Sequence, residues 1–264
     1  MREGWLISQK YNARVWLLLA TALIAHADLS TVARSAKVDV SDRQTRVIAL
    51  PDGRPLVIEI TIGTVRIEGW DRQEAEITVE RRAPNASSFS RLPASIEEVP
   101  PGVVVRALQT DNTTDPALRS DVTVRLPRKA TIERIHVLEG RIVIEDFNGT
   151  ITATLRRGPI EGKAMSGTIR LETEIGDVTL INTRLSANGL LRLRTFNGDV
   201  TLSMAERPSD ARVMALALNG QIKSEIPLKM RDSWGPRYGE ATLGKGEPVI
   251  SLDVVTGLIE IKSP

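Results

Sequence analysis

Glycines fall at positions 140, 149, 158, 167 and 176, nine residues apart each time, and after a four-residue slip they return at 189 and 198. No other feature of the chain restricts its fold as strongly. The second residue after each glycine is aliphatic: Ile142, Ile151, Ile160, Ile169, Val178, Leu191 and Val200. The fourth usually is as well, at Ile144, Leu171, Leu180, Leu193 and Leu202. Alternation with period two marks a strand that buries one face, because successive side chains leave a strand on opposite sides. A glycine at constant offset marks the turn that starts each strand. The stretch from Gly140 to Leu202 therefore reads as a β-repeat array.

The comb has a second order. Every other glycine gives 140, 158, 176, 198 and 220, with steps of 18, 18, 22 and 22, and the intervening row gives 149, 167 and 189, with steps of 18 and 22. One four-residue insertion, within Ile181 to Asn188, accounts for the change of step. A coil of two strands, one on each of two facing sheets, produces this spacing, and stacked coils satisfy each other's backbone groups. The expectation is an all-β fold, a β-solenoid (single-stranded and β-helix-like) with two facing sheets and 18–22-residue coils. An antiparallel β-meander or sandwich is the alternative, because Asn148-Gly149, Asn188-Gly189, Asn197-Gly198 and Asn219-Gly220 are also hairpin signals. The interval holds through Gly158 and Gly167, which no Asn precedes, and this favours the solenoid.

Outside the comb the pattern is looser. Residues 28–46 read as a polar lead-in, and Arg46 to Leu50 and Leu56 to Ile60 read as strands around the turn Pro51-Asp52-Gly53. Gly63 opens an early repeat copy with Val65 and Ile67 inward, and residues 83–101, rich in Pro, Ser and Asn, read as a loop. Residues 227–248 read as a long loop, and Val249 to Val254 with Gly257 to Lys262 as a terminal pair of strands. Residues 28–130 are accordingly expected to be an irregular first layer and N-terminal cap, and 131–264 the regular array with a C-terminal cap, in one continuous domain.

Residues 1–27 have the form of a secretory signal: Arg2, Lys10 and Arg14, then the apolar run Val15 to Ala25, then Ala25-His26-Ala27 as the cleavage pattern. Eleven apolar residues are too few to span a bilayer. Loss of this leader removes three of 35 basic and one of 33 acidic residues, which leaves a neutral chain and no electrostatic case for nucleic-acid binding. There is no cysteine, so an exported chain must hold itself by its core and ladders. The expected place is the periplasm, the cell surface or the medium. Aromatic residues make up only 3%, which suits thin β-layers better than a deep ligand pocket.

The leader, the early GTVRIEGWD, the repeated FNGTITATL, SGTIRLET, IGDVTLIN, FNGDVTLS and LNGQIKSE, and the closing LGKGEPVISLDVVTGLIEIK resemble the bacterial putative adhesin family, the toastrack-like β-strand repeat proteins of unknown function. The resemblance spans residues 46–264. It implies a β-helical or β-solenoid envelope protein and carries over no catalytic residue, cofactor or metal ligand.

Residue chemistry points the same way. With no Cys and only His136 left after the leader, Cys/His zinc sites and a cysteine nucleophile are excluded, and His136 reads as an ordinary strand residue. Glu172 and Glu174, two residues apart on one strand, are the best pair for an inverting glycosidase, but outward strand positions are expected to be polar in any case. Asp177 and Asp199 read as turn residues, because the calcium-binding β-roll needs a denser Gly and Asp pattern. The outward hydroxyls and guanidinium groups of Thr150, Thr152, Thr168, Arg170, Thr179, Arg192 and Thr201 form the candidate ligand-facing surface, with Trp234 and Tyr238 as stacking platforms or, more simply, cap packing. The expected role is a non-enzymatic binding or structural module that meets an envelope polysaccharide or envelope protein. A polysaccharide-active enzyme on the same scaffold and an envelope-stress sensor are the alternatives.

Overall fold

The computed structural model describes residues 39–264 except 52, 112, 188 and 232–234. The leader and Trp234 lie outside the described residues. Strands come in the order β1 (Val40–Ala49), β2 (Pro55–Trp70), β3 (Glu74–Ala83), β4 (Ala94–Val99), β5 (Gly102–Ala107), β6 (Arg119–Pro127) and β7 (Thr131–Glu145). The comb supplies β8 (Thr150–Arg157), β9 (Ile160–Lys163), β10 (Thr168–Ile175), β11 (Val178–Thr183), β12 (Leu190–Asn197) and β13 (Val200–Met204). The chain ends with β14 (Ala211–Ser224), β15 (Lys229–Arg231), β16 (Arg237–Leu243) and β17 (Val249–Lys262). The fold is all-β, with one short 3-10 helix at Ala86–Arg91 among the described residues.

Parallel pairing connects the strands in two rows. In the first row β5, the start of β2, the start of β7, β8, β10, β12, the start of β17 and the start of β14 lie side by side. In the second row the order is β6, the end of β2, the end of β7, β9, β11, β13, the end of β17 and the end of β14. Each rung therefore contributes one segment to each row. The Asn-Gly steps do not make hairpins between the repeat strands, which pair in parallel. Antiparallel pairing is confined to the ends: β4 on β5, β3 and then β1 beyond β6, and β16 and then β15 beyond β14.

The inward residues of the comb are buried as the alternation requires: Ile142, Ile151, Ile160, Ile169, Val178, Leu191 and Val200 are all at 3% exposure or less. Side chains from both rows belong to one hydrophobic core that runs from Ile48 to Ile261. Burying a Val, Leu or Ile side chain fully contributes about 1.5–3 kcal/mol, so a core of this size carries the fold without disulfides.

The nine-residue spacing has a steric cause. Gly140, Gly158 and Gly176 stand at successive bends between the rows, and a Cβ on Gly158 would lie 1.8 Å from the carbonyl oxygen of Gly140. Backbone passes over backbone here too closely for any side chain, and at Gly158 φ is +133° as well. The intervening glycines 149, 167 and 189 form a second ladder at the opposite bends, where a Cβ on Gly167 would lie 2.2 Å from the oxygen of Gly149.

The last part of the chain departs from the expected order. Gly220 does not follow Gly198: Gly257 abuts the oxygen of Gly198, and Gly220 abuts that of Gly257. β17 is thus inserted between β12/β13 and β14, and the chain end is an interior rung rather than a cap. The cause is pairing demand, since an interior strand finds backbone partners on both sides and a terminal one on only one. The mirror arrangement holds at the other end, where β2 lies between β5/β6 and β7. Three segments read as loop or lead-in carry strands: β1 in 28–46, β4 in 83–101, and β15 with β16 in 227–248. Short capping strands pair by backbone and bury few side chains, so their sequences lack an extended alternation.

Candidate functional site

Outward positions line up across rungs in columns. One first-row column joins Thr150 to Thr168, and the next joins Thr152, Arg170, Arg192 and Ser251. A third runs His136, Thr154, Glu172, Arg194 and Asp253. Thr179 and Thr201 pair with each other in the second row, between Glu161 and Glu260. Tyr238 lies on the capping strand β16, opposite Leu216 at the first-row edge. The nine candidate residues therefore do not converge: five share the first row, two lie in the second, Tyr238 is on the cap, and Trp234 is outside the described residues.

The strand faces use most of their charge on themselves. Arg106 and Arg134 both pair with Glu59, at 3.1 and 2.7 Å, and Arg192 pairs with Asp253 at 3.8 Å. Arg141 pairs with Glu161 and Arg66 with Glu145 on the second row. Glu172 and Glu174 are held by different cations, Arg194 at 3.8 Å and Arg156 at 3.6 Å. They are rungs of a charge ladder. His136 is exposed, and its Nδ1 lies 3.1 Å from the Thr154 hydroxyl.

Asp177 and Asp199 act as turn residues through one device. The Asp177 Oδ1 accepts the backbone N–H of Asp199 at 2.8 Å, and the Asp199 Oδ1 accepts that of Leu258 at 2.8 Å, so each aspartate caps the next rung. Asp121 does the same for Thr64. Among the described residues no group of three or more His, Cys, Asp or Glu could hold a metal ion.

The aromatic faces are covered. Arg231 lies over the Tyr238 ring at 4.8 Å, and the phenol donates to Glu240 at 3.0 Å. Burial first, and then the Glu240 carboxylate, raise the Tyr238 phenol above its ordinary range. Trp70 closes β2 with its indole N–H donated to the Glu74 carbonyl at 2.8 Å and Arg72 stacked on it. Trp70 ends the interior strand β2 and Tyr238 lies on the capping strand β16, and the cation on each ring occupies a face that a sugar would need.

What remains open is the bend that carries glycines 149, 167 and 189. Three departures from the nine-residue rhythm fall here: the insertion between β11 and β12, the loop 205–210 and the loop 244–248. Together they enclose a groove of about 570 Å³ lined by Thr183, Leu185, Glu206, Arg207, Lys245 and Glu247 among others. It continues through Ala187 into a shallower depression of about 440 Å³ with Lys129, Asn148, Thr150, Thr168 and Ser186. The loop 244–248 is fixed by Asp210, whose Oδ1 accepts the backbone N–H of Lys245 at 2.9 Å. Of the candidates, Thr150 and Thr168 line this groove. Its loop residues carry no periodic signal, and only the inserted residues that break the comb marked the place in the sequence.

These features define a parallel β-repeat protein with a loop-lined groove along one bend. No family model matches the sequence, and no curated protein does. Among solved structures the chain is similar to a putative cell adhesion protein from Clostridium sporogenes, at 14% identity and a TM-score of 0.48, over 85% of this chain and all of that one. It is similar to a putative adhesin from Bacteroides fragilis at 10% identity and a TM-score of 0.36, over 84% of this chain and 97% of that one. A putative lipid binding protein from Parabacteroides distasonis gives 8% identity and a TM-score of 0.38, with the same coverage.

Proposed function

We propose that this chain is a non-enzymatic binding or structural module of the bacterial cell envelope. It is exported by its leader and folds as a two-sheet solenoid in which residues 28–130 and 131–264 form one domain. The observation that carries this reading is the division of the surface. Glu172, Glu174 and most face arginines are neutralised by neighbours, whereas in the groove at the bend Glu206, Arg207, Lys245 and Glu247 make no ion pair among the described residues. A neutralised ladder suits a scaffold, and an unsatisfied groove suits recognition. No described helix is long and apolar enough to cross a membrane.

The test is retention of the folded protein on isolated envelope fractions, with soluble sugar release followed in parallel. Retention without release is expected. Release of sugar that Glu172→Gln abolishes would establish the enzyme instead. Proteinase K treatment of intact cells gives the location: cleavage within 83–101 places the protein outside the cell, and protection places it in the periplasm.

A further inference from the structure

The deeper part of the groove holds a buried hydroxyl that the fold does not use. Thr183, the last residue of β11, is 1% exposed and lines the groove, and its Oγ1 finds no hydrogen-bond partner among the described residues. Thr173 and Thr195, also buried, each donate to a bend glycine. A buried hydroxyl without a partner costs free energy, so the groove wall keeps an unused donor and acceptor.

The two loops beside it carry both signs of charge. Loop 205–210 presents Glu206 and Arg207, and loop 244–248 presents Lys245 and Glu247, all exposed and none in an ion pair among the described residues. The third acid, Asp210, is engaged: its Oδ1 accepts the Lys245 N–H and its Oδ2 the Ser209 hydroxyl. That contact ties one loop to the other and holds the groove in shape before anything binds.

This balance of charge decides the kind of occupant. An anion would meet the two free acids, a cation would meet the two free bases, and an uncharged molecule would strip water from all four without replacing it. A zwitterion has one end for the acids and one for the bases. Between those charges the groove offers Leu185, Ala187, Pro208 and Pro248 with the Thr183 hydroxyl, a lining for small side chains and an amide backbone. No aromatic ring lines it to stack on a sugar or a base. Its volume of about 570 Å³ is that of a small-molecule site.

We infer that this groove binds a short peptide with free ends, its ammonium held by Glu206 and Glu247, its carboxylate by Arg207 and Lys245, and an amide group by the Thr183 hydroxyl. The inference rests on the binding-module reading and adds the ligand class and the site. Charge-assisted bonds at the two ends are the strongest contacts such a groove can offer, and their exposure makes them sensitive to salt.

The experiment measures calorimetric binding of tetra-alanine, its N-acetyl form and its C-terminal amide to the full mature chain, at low and high salt. The free-ended peptide is expected to bind about tenfold more tightly than either blocked form and to weaken with salt. Glu206→Gln with Glu247→Gln should remove the preference over the acetylated peptide, and Arg207→Gln with Lys245→Gln the preference over the amide. Thr183→Val should weaken binding about fivefold without lowering the urea midpoint, because the hydroxyl it removes bonds nothing in the free protein. Circular dichroism establishes that each variant folds. Equal binding of the three peptides overturns the zwitterion, and unchanged preferences in the charge variants overturn the site. Wild-type affinity in Thr183→Val, or a lowered midpoint, overturns the role of the hydroxyl. The envelope retention assay separates the two readings: retention without binding of any peptide overturns the ligand class alone, and absence of both overturns the module as well.

Discussion

The glycines of the comb differ in what they tolerate, and the difference is measurable. Gly158→Ala places a methyl 1.8 Å from the Gly140 oxygen at a φ of +133°, so it should cost about 3 kcal/mol or more in urea unfolding. Gly53→Ala, with nothing within 4 Å of the added carbon, should cost only about 1 kcal/mol for its positive φ. Equal losses at the two sites would contradict the stacked-backbone account. Asp199→Ala should cost about 1 kcal/mol, because it frees the Leu258 N–H, and chelators should leave the wild-type midpoint unchanged. Tyr238 supplies a pH test. Its folded phenol titrates above the ordinary value of about 10, so the stability it contributes is complete below that value and is lost as pH rises through the higher folded one. Ultraviolet titration of the chain from residue 28, where Tyr238 is the only tyrosine, should show this, with Glu240→Gln bringing the transition part of the way back. An ordinary titration in both proteins would remove the cap contact. Two residues at this scale were missed from the sequence: Thr173 and Thr195 are buried among aliphatic positions. Each hydroxyl donates to a bend glycine, Thr173 to the Gly158 carbonyl at 3.1 Å and Thr195 to that of Gly176 at 2.8 Å. The signal was a threonine three residues before Gly176 and Gly198, where the period alone asks for an aliphatic side chain.

Among elements, β17 has the largest consequence. As the chain end it reads as a fraying cap, yet it pairs with β12 and β13 on one side and β14 on the other. Backbone amides of Leu252 and Ile259 should therefore exchange as slowly as that of Leu193, at the free energy of global unfolding. Exchange as fast as in β15 would show that β17 peels off alone. The alternation in 249–262 was legible, as were the strands of the comb, because each buries a full row of side chains. The partner of β17 was not legible, because every rung presents the same pattern of aliphatic residues and any rung could in principle accept it. The capping strands β4, β15 and β16 were read as loops, and the first part of β1 as a lead-in, for the converse reason, since they are held by backbone pairing and leave many side chains exposed.

At the scale of the whole molecule, Glu172→Gln and Glu174→Gln should leave envelope retention unchanged, because each carboxylate serves a cross-strand ion pair of exposed residues worth at most about 1 kcal/mol. Loss of retention in either would move the recognition surface onto the first-row face. The candidate hydroxyls were legible as outward positions, but whether they converge was not. Thr150 and Thr168 meet in the groove, whereas Thr179 and Thr201 belong to the other row. By itself the sequence determined the strand period, the inward residues, the two ladders of glycines and the all-β class, because these depend on spacing along the chain. Tertiary structure alone decided which rung lies beside which, where the chain end is inserted, and how three loops separated in sequence enclose one groove. Those outcomes follow from which backbone edges find partners and which charges find opposites, and such pairings join residues as far apart as Gly198 and Gly257.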